Sequence, residues 1–241
     1  MGVKDYARSI LSLNPWGVLQ SAKAAALQRR LTASREAAFR AYQAAHPSAR
    51  LQIGTGTNPL PGWFNTDLMT ADGIFFVDAR EPLPFPSRCF EYVFSEHLLE
   101  HVNWEDGCRF LAECYRVLKP GGTLRVATPN LRFLVDLCAA EKTELQERYI
   151  RWSIDRFVPD RGPNLEGFVV NNFFYSWGHR FVYDPDTLAR AFEQAGFQAQ
   201  RECRVGESGD ANLHGLEAHG RHIPSEYNEL ETLIIEGVRL N

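Results

Sequence analysis

The sequence is short of lysine, of pairable cysteines and of long apolar runs, and each shortage excludes a class of protein. Only four of its 26 basic residues are lysine. No cluster of cations is interleaved with aromatic rings of the kind on which bases stack, so nucleic-acid binding is not expected. The five cysteines, Cys89, Cys108, Cys114, Cys138 and Cys203, are odd in number and lack a C-x-x-C spacing. That argues against a disulfide framework and against a thiolate zinc site, leaving reduced thiols that pack. No apolar run approaches the roughly 18 residues of a membrane span, and Asn14-Pro15 breaks the only early apolar stretch. Neither a transmembrane segment nor a secretory signal is therefore expected, and the expected location is the cytoplasm.

What is present is an ordinary globular composition, 44% apolar and 23% charged over 241 residues, enough for one generous domain. The net charge of -4 is unevenly spread: residues 1–50 carry eight Lys or Arg against two acids, and the rest carries eighteen against twenty-eight. A basic leader on an acidic body admits two readings, a weak docking surface for a membrane face or protein, or a solvated helix with its arginines outward.

The pattern predicts a short apolar segment at 6–13, one long amphipathic helix over 16–45, and a change of rhythm after His46-Pro47. From there short apolar runs alternate with longer stretches, the signature of a mostly parallel sheet connected by helices. Strands are expected at 50–53, 63–67, 74–78, 90–94, 123–128, 198–205 and 232–239. Helices are expected at 104–118, at 131–151 with a break, and at 185–195. Asp184-Pro185 supplies an N-cap and a helix-opening proline for the last of these, and Gly196 its stop. Lys119-Pro120-Gly121-Gly122 reads as a turn into the fifth strand. The expected division is a helical extension over 1–49 and a catalytic domain over 50–241.

The chemistry begins where the first strand, Leu51-Gln52-Ile53, runs into Gly54-Thr55-Gly56-Thr57-Asn58. Glycines there let the backbone turn sharply and approach a ligand. A lone G-x-G also occurs in structural turns, but the next two strands end on Asp67 and Asp78. A carboxylate at such a position accepts hydrogen bonds from both hydroxyls of a ribose. Each acid read singly is equally a turn former. Together, three strands deliver a glycine or an acid to one sheet edge, which points to an adenosine-containing cofactor. A third glycine and a phosphate-loop lysine are both missing, which counts against a dinucleotide oxidoreductase.

Gly54-Thr55-Gly56 followed by Gly62-Trp63-Phe64-Asn65-Thr66-Asp67 resembles the class I S-adenosylmethionine-dependent methyltransferases, in particular a small bacterial branch. The resemblance continues through Leu83-Pro84-Phe85, Ser95-Glu96-His97-Leu98-Leu99-Glu100-His101, Arg116-Val117-Leu118-Lys119-Pro120-Gly121-Gly122 and Thr128-Pro129-Asn130, and spans about residues 50–240. It implies an α/β, Rossmann-like, seven-stranded sheet, mostly parallel, with helices on both faces and the last strand antiparallel. It also implies S-adenosylmethionine as cofactor and S-adenosylhomocysteine as product. Gly54, Thr55, Gly56 and Asn58 would lie by the aminoacyl and sugar portions. Asp67 with Leu68 would hold the ribose, Asp78 with Ala79 the adenine, and Ser95 and Glu96 the methionine part. Two departures stand out: Gln52 where an acid is common, and too few residues between Gly56 and Asp67 for a crossover helix.

Methyl transfer requires alignment of the acceptor and removal of its proton. His97 and His101, four apart, share a face if helical geometry follows the fourth strand. His179 sits in Trp177-Gly178-His179-Arg180-Phe181, which also resembles a recurring family segment. Each of the three is a candidate base and each is equally a packing histidine. Glu96, Glu100, His97 and His101 could be read as two-His, one-carboxylate metal ligands, yet the resemblance implies no dedicated metal. His214, His219 and His222 form a loose histidine-rich loop, a solvated loop or a substrate lid. Aromatic density over about 143–183 suggests a lid insertion, with faces suited to sugar rings or planar natural products. The expected activity is O-methylation of a saccharide or small secondary metabolite by an enzyme that can be oligomeric. Ser95-Glu96-His97-Leu98 stands where enzymes acting on DNA bases or glutamine carry Asn-Pro-Pro-Tyr. The alternative is a catalytically silent cofactor-binding module that docks a partner protein through the basic leader.

Overall fold

The computed structural model describes residues 15–158 and 163–240; the expected segment at 6–13 lies outside them. The chain forms two units, divided after Pro47. The first carries helix α1 (Pro15–Ala45), as the alanine-rich composition predicts. Over 31–42 its buried and half-buried residues recur at three- and four-residue spacing, Leu31, Arg35, Ala38, Phe39 and Tyr42, whereas Leu27 nearer its start is exposed. Among the described residues no helix is long and apolar enough to cross a membrane.

The second unit is built on seven strands: β1 (Arg50–Ile53), β2 (Phe64–Asp67), β3 (Ile74–Phe76), β4 (Phe90–Glu96), β5 (Leu118–Pro129), β6 (Ala199–Cys203) and β7 (Thr232–Val238). Their order is β3-β2-β1-β4-β5-β7-β6. Pairing is parallel throughout except along β7, which runs antiparallel between β5 and β6. This is the mixed Rossmann-like sheet implied by the sequence. Buried residues run consecutively along β1 and β4, as expected of strands covered on both faces.

The links between β1 and β2 (54–63) and between β2 and β3 (68–73) contain no helix. Both are shorter than the dozen or more residues a parallel crossover usually takes. The buried Gln52 explains how the first link is held. Its amide donates to the Asn58 carbonyl (3.1 Å) and accepts from the Leu60 N–H (3.0 Å). Asn65 pins the same loop, donating to the carbonyls of Leu60 and Trp63 at 3.1 Å. An acid at position 52 could not donate, so the glutamine suits a compact loop.

Among the described residues of this unit, α-helices appear only after β4: α2 (Trp104–Val117), α3 (Leu131–Asp136), α4 (Glu144–Phe157), α5 (Glu166–Tyr175), α6 (Pro185–Ala195) and α7 (Ser225–Glu231). The expected helix at 131–151 is two, because Thr143 opens α4 with a capping box to Gln146. α6 has its expected ends, an Asp184–Thr187 capping box and Gly196 at φ +103°. The turn expected at 119–122 lies instead within β5, with an irregularity in the register between Phe90 and Tyr92. All five cysteines are free thiols; burial pushes the Cys89 thiol up to about 12.

Candidate functional site: two cavities that share a pair of histidines

The C-terminal ends of the first four strands enclose a cleft of about 290 Å³, the place where open α/β sheets take ligands. Gly54, Gly56, Asp67, Leu68, Asp78 and Ala79 all line it, so the acids ending β2 and following β3 face one space. Gly54 holds φ +77°, and a Cβ there would come within 2.5 Å of the Leu98 side chain. A Cβ on Gly56, at φ +54°, would meet nothing within 4 Å, so that glycine leaves open space beside the loop. Asp67 accepts from the Gly56 N–H and from the Met69 N–H, each at 2.8 Å. Each oxygen keeps a lone pair for a ligand hydroxyl.

Asp78 is gripped by Arg80 through contacts of 2.6 and 2.9 Å. The hydrogen bond from the guanidinium holds the carboxyl below its usual range against the effect of burial. Arg80, Val77, Leu98 and Val102 complete the wall. None was singled out from sequence, because Val77, Leu98 and Val102 are apolar wall residues without a motif and Arg80 enters through its pairing with Asp78.

Thr55, Asn58, Ser95 and Glu96 do not line the cleft. The Thr55 hydroxyl is buried and donates to the Thr66 carbonyl at 3.1 Å. Asn58 contributes its carbonyl to the Gln52 amide. Ser95 is buried. Glu96 accepts N–H bonds of about 3.0 Å from Ala218 and His219, and so fastens the late histidine-rich segment to the end of β4. These residues frame the site rather than face it.

A second cavity of about 300 Å³ adjoins, and His97 and His101 line both. Five of the seven histidines meet in it: His97, His101, His179, His219 and His222. His97 sits at φ +47° and Trp177, also in the lining, at φ +57°. Side chains held in left-handed backbone are strained, and such strain clusters at functional sites. Expected helical geometry at 97–101 is replaced by a 3₁₀ turn over Leu99–His101.

The turn is stapled to the segment carrying His179, since the Glu100 carbonyl accepts the N–H groups of Arg180 (2.7 Å) and Phe181 (3.2 Å). That staple brings the His101 and His179 rings to 5.1 Å. His179 Nδ1 lies 2.7 Å from the Phe173 carbonyl, which can only accept, so Nδ1 carries the proton and Nε2 the lone pair. Burial lowers the pKa of His179 and keeps it neutral.

His97 is in a different state. Its Nδ1 lies 3.0 Å from the buried Glu100 carboxylate, which the Thr128 hydroxyl also bonds at 3.0 Å. Burial disfavours the imidazolium, but the hydrogen bond and charge of Glu100, with the charges of Glu96 and Glu231, offset it and raise the pKa. Its Nε2 is buried without a hydrogen-bond partner among the described residues. The His219 ring packs 4.0 Å away and is itself held by Glu231 at 3.1 Å, a carboxylate that the Tyr149 hydroxyl also bonds. Of the histidine-rich loop, His219 and His222 enter the cavity, while His214 bonds the Ser208 carbonyl outside it. Ligand atoms of Glu100, His101 and His179 lie within 4.8 Å of one another, so those residues could also hold a metal ion.

The remaining walls are aromatic. Phe157, Phe173 and Trp177 stand edge to face with ring centroids 5.2 and 5.5 Å apart. They belong to α4, α5 and the turn after it, within the segment expected to cover the sheet. That cover has a core of its own, in which Phe133, Tyr149, Ile154, Val169 and Phe173 are buried together.

Residues 66–126, from β2 into β5, match the methyltransferase domain family. A probable S-adenosylmethionine-dependent methyltransferase of Mycolicibacterium smegmatis is 44% identical over 48 residues, 20% of this chain and 18% of that protein. The ubiquinone/menaquinone biosynthesis C-methyltransferase of a Marinomonas species is 30% identical over 124 residues, 51% of this chain and 45% of that protein. The chain spans less than half the length of these curated relatives. A solved methyltransferase structure from Archaeoglobus fulgidus is 17% identical, covering 85% of this chain and 94% of its own, with a TM-score of 0.48. Strand order and the matched segment define a Rossmann-like methyltransferase domain. The matched segment and its curated relatives support a class I S-adenosylmethionine-dependent methyltransferase, with S-adenosylmethionine as the cofactor.

Proposed function

We propose that the protein transfers a methyl group from S-adenosylmethionine to a hydroxyl of a saccharide or small secondary metabolite, with His179 as general base. The observation that carries this reading is the junction of the two cavities at His97 and His101. One cavity has the glycine turn and two acids suited to a nucleoside. The other has aromatic walls and a neutral imidazole whose lone-pair nitrogen is fixed.

The cofactor, when bound, supplies an activated methyl group. Gly54 and Gly56 give it room, Asp67 accepts from the ribose hydroxyls, and Asp78 with Ala79 borders the adenine. Phe157, Phe173 and Trp177 would orient a ring-shaped acceptor and exclude water. His179 Nε2 takes the hydroxyl proton while Nδ1 stays on the Phe173 carbonyl. Mass spectrometry of a panel of hydroxylated acceptors tests the reading. A gain of one methyl with release of S-adenosylhomocysteine is expected, and cofactor binding without turnover on any acceptor would favour a silent module.

Two further outcomes follow. Asp67→Ala should weaken cofactor binding by about 1–3 kcal/mol, the range for charged hydrogen bonds. Calorimetry on the folded variant checks it, and unchanged affinity removes Asp67 from the site. The second concerns the Glu100, His101 and His179 set. We keep the metal-free reading, in which protein treated with a chelator retains its turnover. Loss on chelation, restored by a divalent ion, would transfer the role of His179 to that of a ligand.

A further inference from the structure

α5 roofs the second cavity with one side and presents the other to solvent. Val169, Asn172 and Phe173 are buried. The outward side carries Phe168, Phe174 and Tyr175, which are 37%, 41% and 85% exposed. Phe168 and Tyr175 are seven apart and share one helix face. Trp177, half exposed, continues the surface into the cavity mouth. Soluble proteins seldom leave so many aromatic rings together in water without a use for them.

Cations stand beside this surface. Arg156 lines the cavity, Arg180 follows His179, and Arg221 precedes His222. All three are exposed, and among the described residues none of their side chains has an acidic partner. The body that carries them is acidic, eighteen cations against twenty-eight acids beyond residue 50. Three exposed arginines, one lining the cavity and two adjacent in sequence to histidines that line it, complement an anionic surface. Tyrosine, tryptophan and phenylalanine beside them are the residues that settle at a lipid headgroup boundary.

We propose that this face, the outer side of α5 with the arginines of the cavity mouth, docks on an anionic lipid bilayer. An acceptor carried in the bilayer would then enter the second cavity without crossing water, a step that rests on the acceptor assignment above. The docking itself does not, and it is measured without any acceptor.

The test is cosedimentation of the full chain with phosphatidylcholine vesicles, with and without phosphatidylglycerol. Binding to the anionic vesicles alone is expected, falling as salt rises. Phe174→Ser combined with Tyr175→Ser should cut the bound fraction at least roughly tenfold, as two exposed rings lose their burial. Cofactor affinity and thermal midpoint should be unchanged, because neither residue enters either cavity. Arg156→Gln and Arg180→Gln should each cost about fivefold. Absence of binding at low salt overturns the proposal. So does binding undiminished in the α5 variant, which would credit the basic leader, or pairing of two copies through this face without vesicle binding.

Discussion

His179→Ala should lower turnover by about 10²- to 10⁴-fold, the usual contribution of a general base, while cofactor affinity stays as it was. The separation follows from the geometry, since His179 lines the second cavity and not the cleft of the glycines and acids. Single-turnover assays with saturating cofactor check it. A loss of less than about tenfold would return His179 to a packing role.

The pH profile tells His179 from His97. A base must be neutral to accept a proton, so activity falls as pH drops through its pKa. For His179 burial lowers that value, so the acid limb should lie below the ordinary histidine value of about 6.5, with a plateau through neutrality. For His97 the Glu100 carboxylate raises it against burial, and the limb would lie above about 6.5. A limb above that value, moved downward by Glu100→Gln, would make His97 the base. That outcome would require His219 to move first, because its ring packs against His97, whose Nε2 is buried.

The cofactor side of this site was legible in the sequence because its chemistry is local. A glycine that must hold φ +77° against Leu98, and an acid that ends a strand and bonds the N–H of Gly56, leave their marks within fourteen residues. The acceptor side is assembled from segments far apart in the chain. Nothing near Tyr149 announces that it bonds Glu231, and nothing near His219 announces that it packs on His97. Ser95 and Glu96 show the limit of motif transfer. They stand where cofactor contacts were expected, yet the pleat buries one and the other holds backbone at 218–219. α5 escaped for a different reason. Its sequence is apolar on nearly every side, so it has no 3.6-residue contrast to read, and its outward aromatic rings become visible only once its neighbours are placed.

Arg125→Met should destabilise the fold by about 3–5 kcal/mol, because it leaves two buried carboxylates without their cation. Arg125 lies in mid-sheet on β5 with no exposure. It reaches Glu217 at 2.6 Å and Glu236 of β7 at 2.5 Å. It also donates to the Glu207 carbonyl at 2.9 Å. Glu217 in turn accepts the Gly206 N–H at 2.9 Å. One guanidinium therefore holds the segment 206–217 against the sheet, just before the point where Glu96 takes the N–H groups of Ala218 and His219. Glu217, through Arg125, and Glu96 thus place the loop that brings His219 and His222 into the acceptor cavity. A total stability of about 5–15 kcal/mol makes the loss large, and urea denaturation would show it as a lowered midpoint. Replacing all three members with apolar residues should return most of it, since the cost is that of charges left unpaired rather than of a missing attraction. If the triad also positions the loop, that restored variant should still bind cofactor normally but need more acceptor to reach half its maximal rate. A midpoint unchanged by Arg125→Met would mean that water reaches both carboxylates and that Glu96 alone anchors the loop.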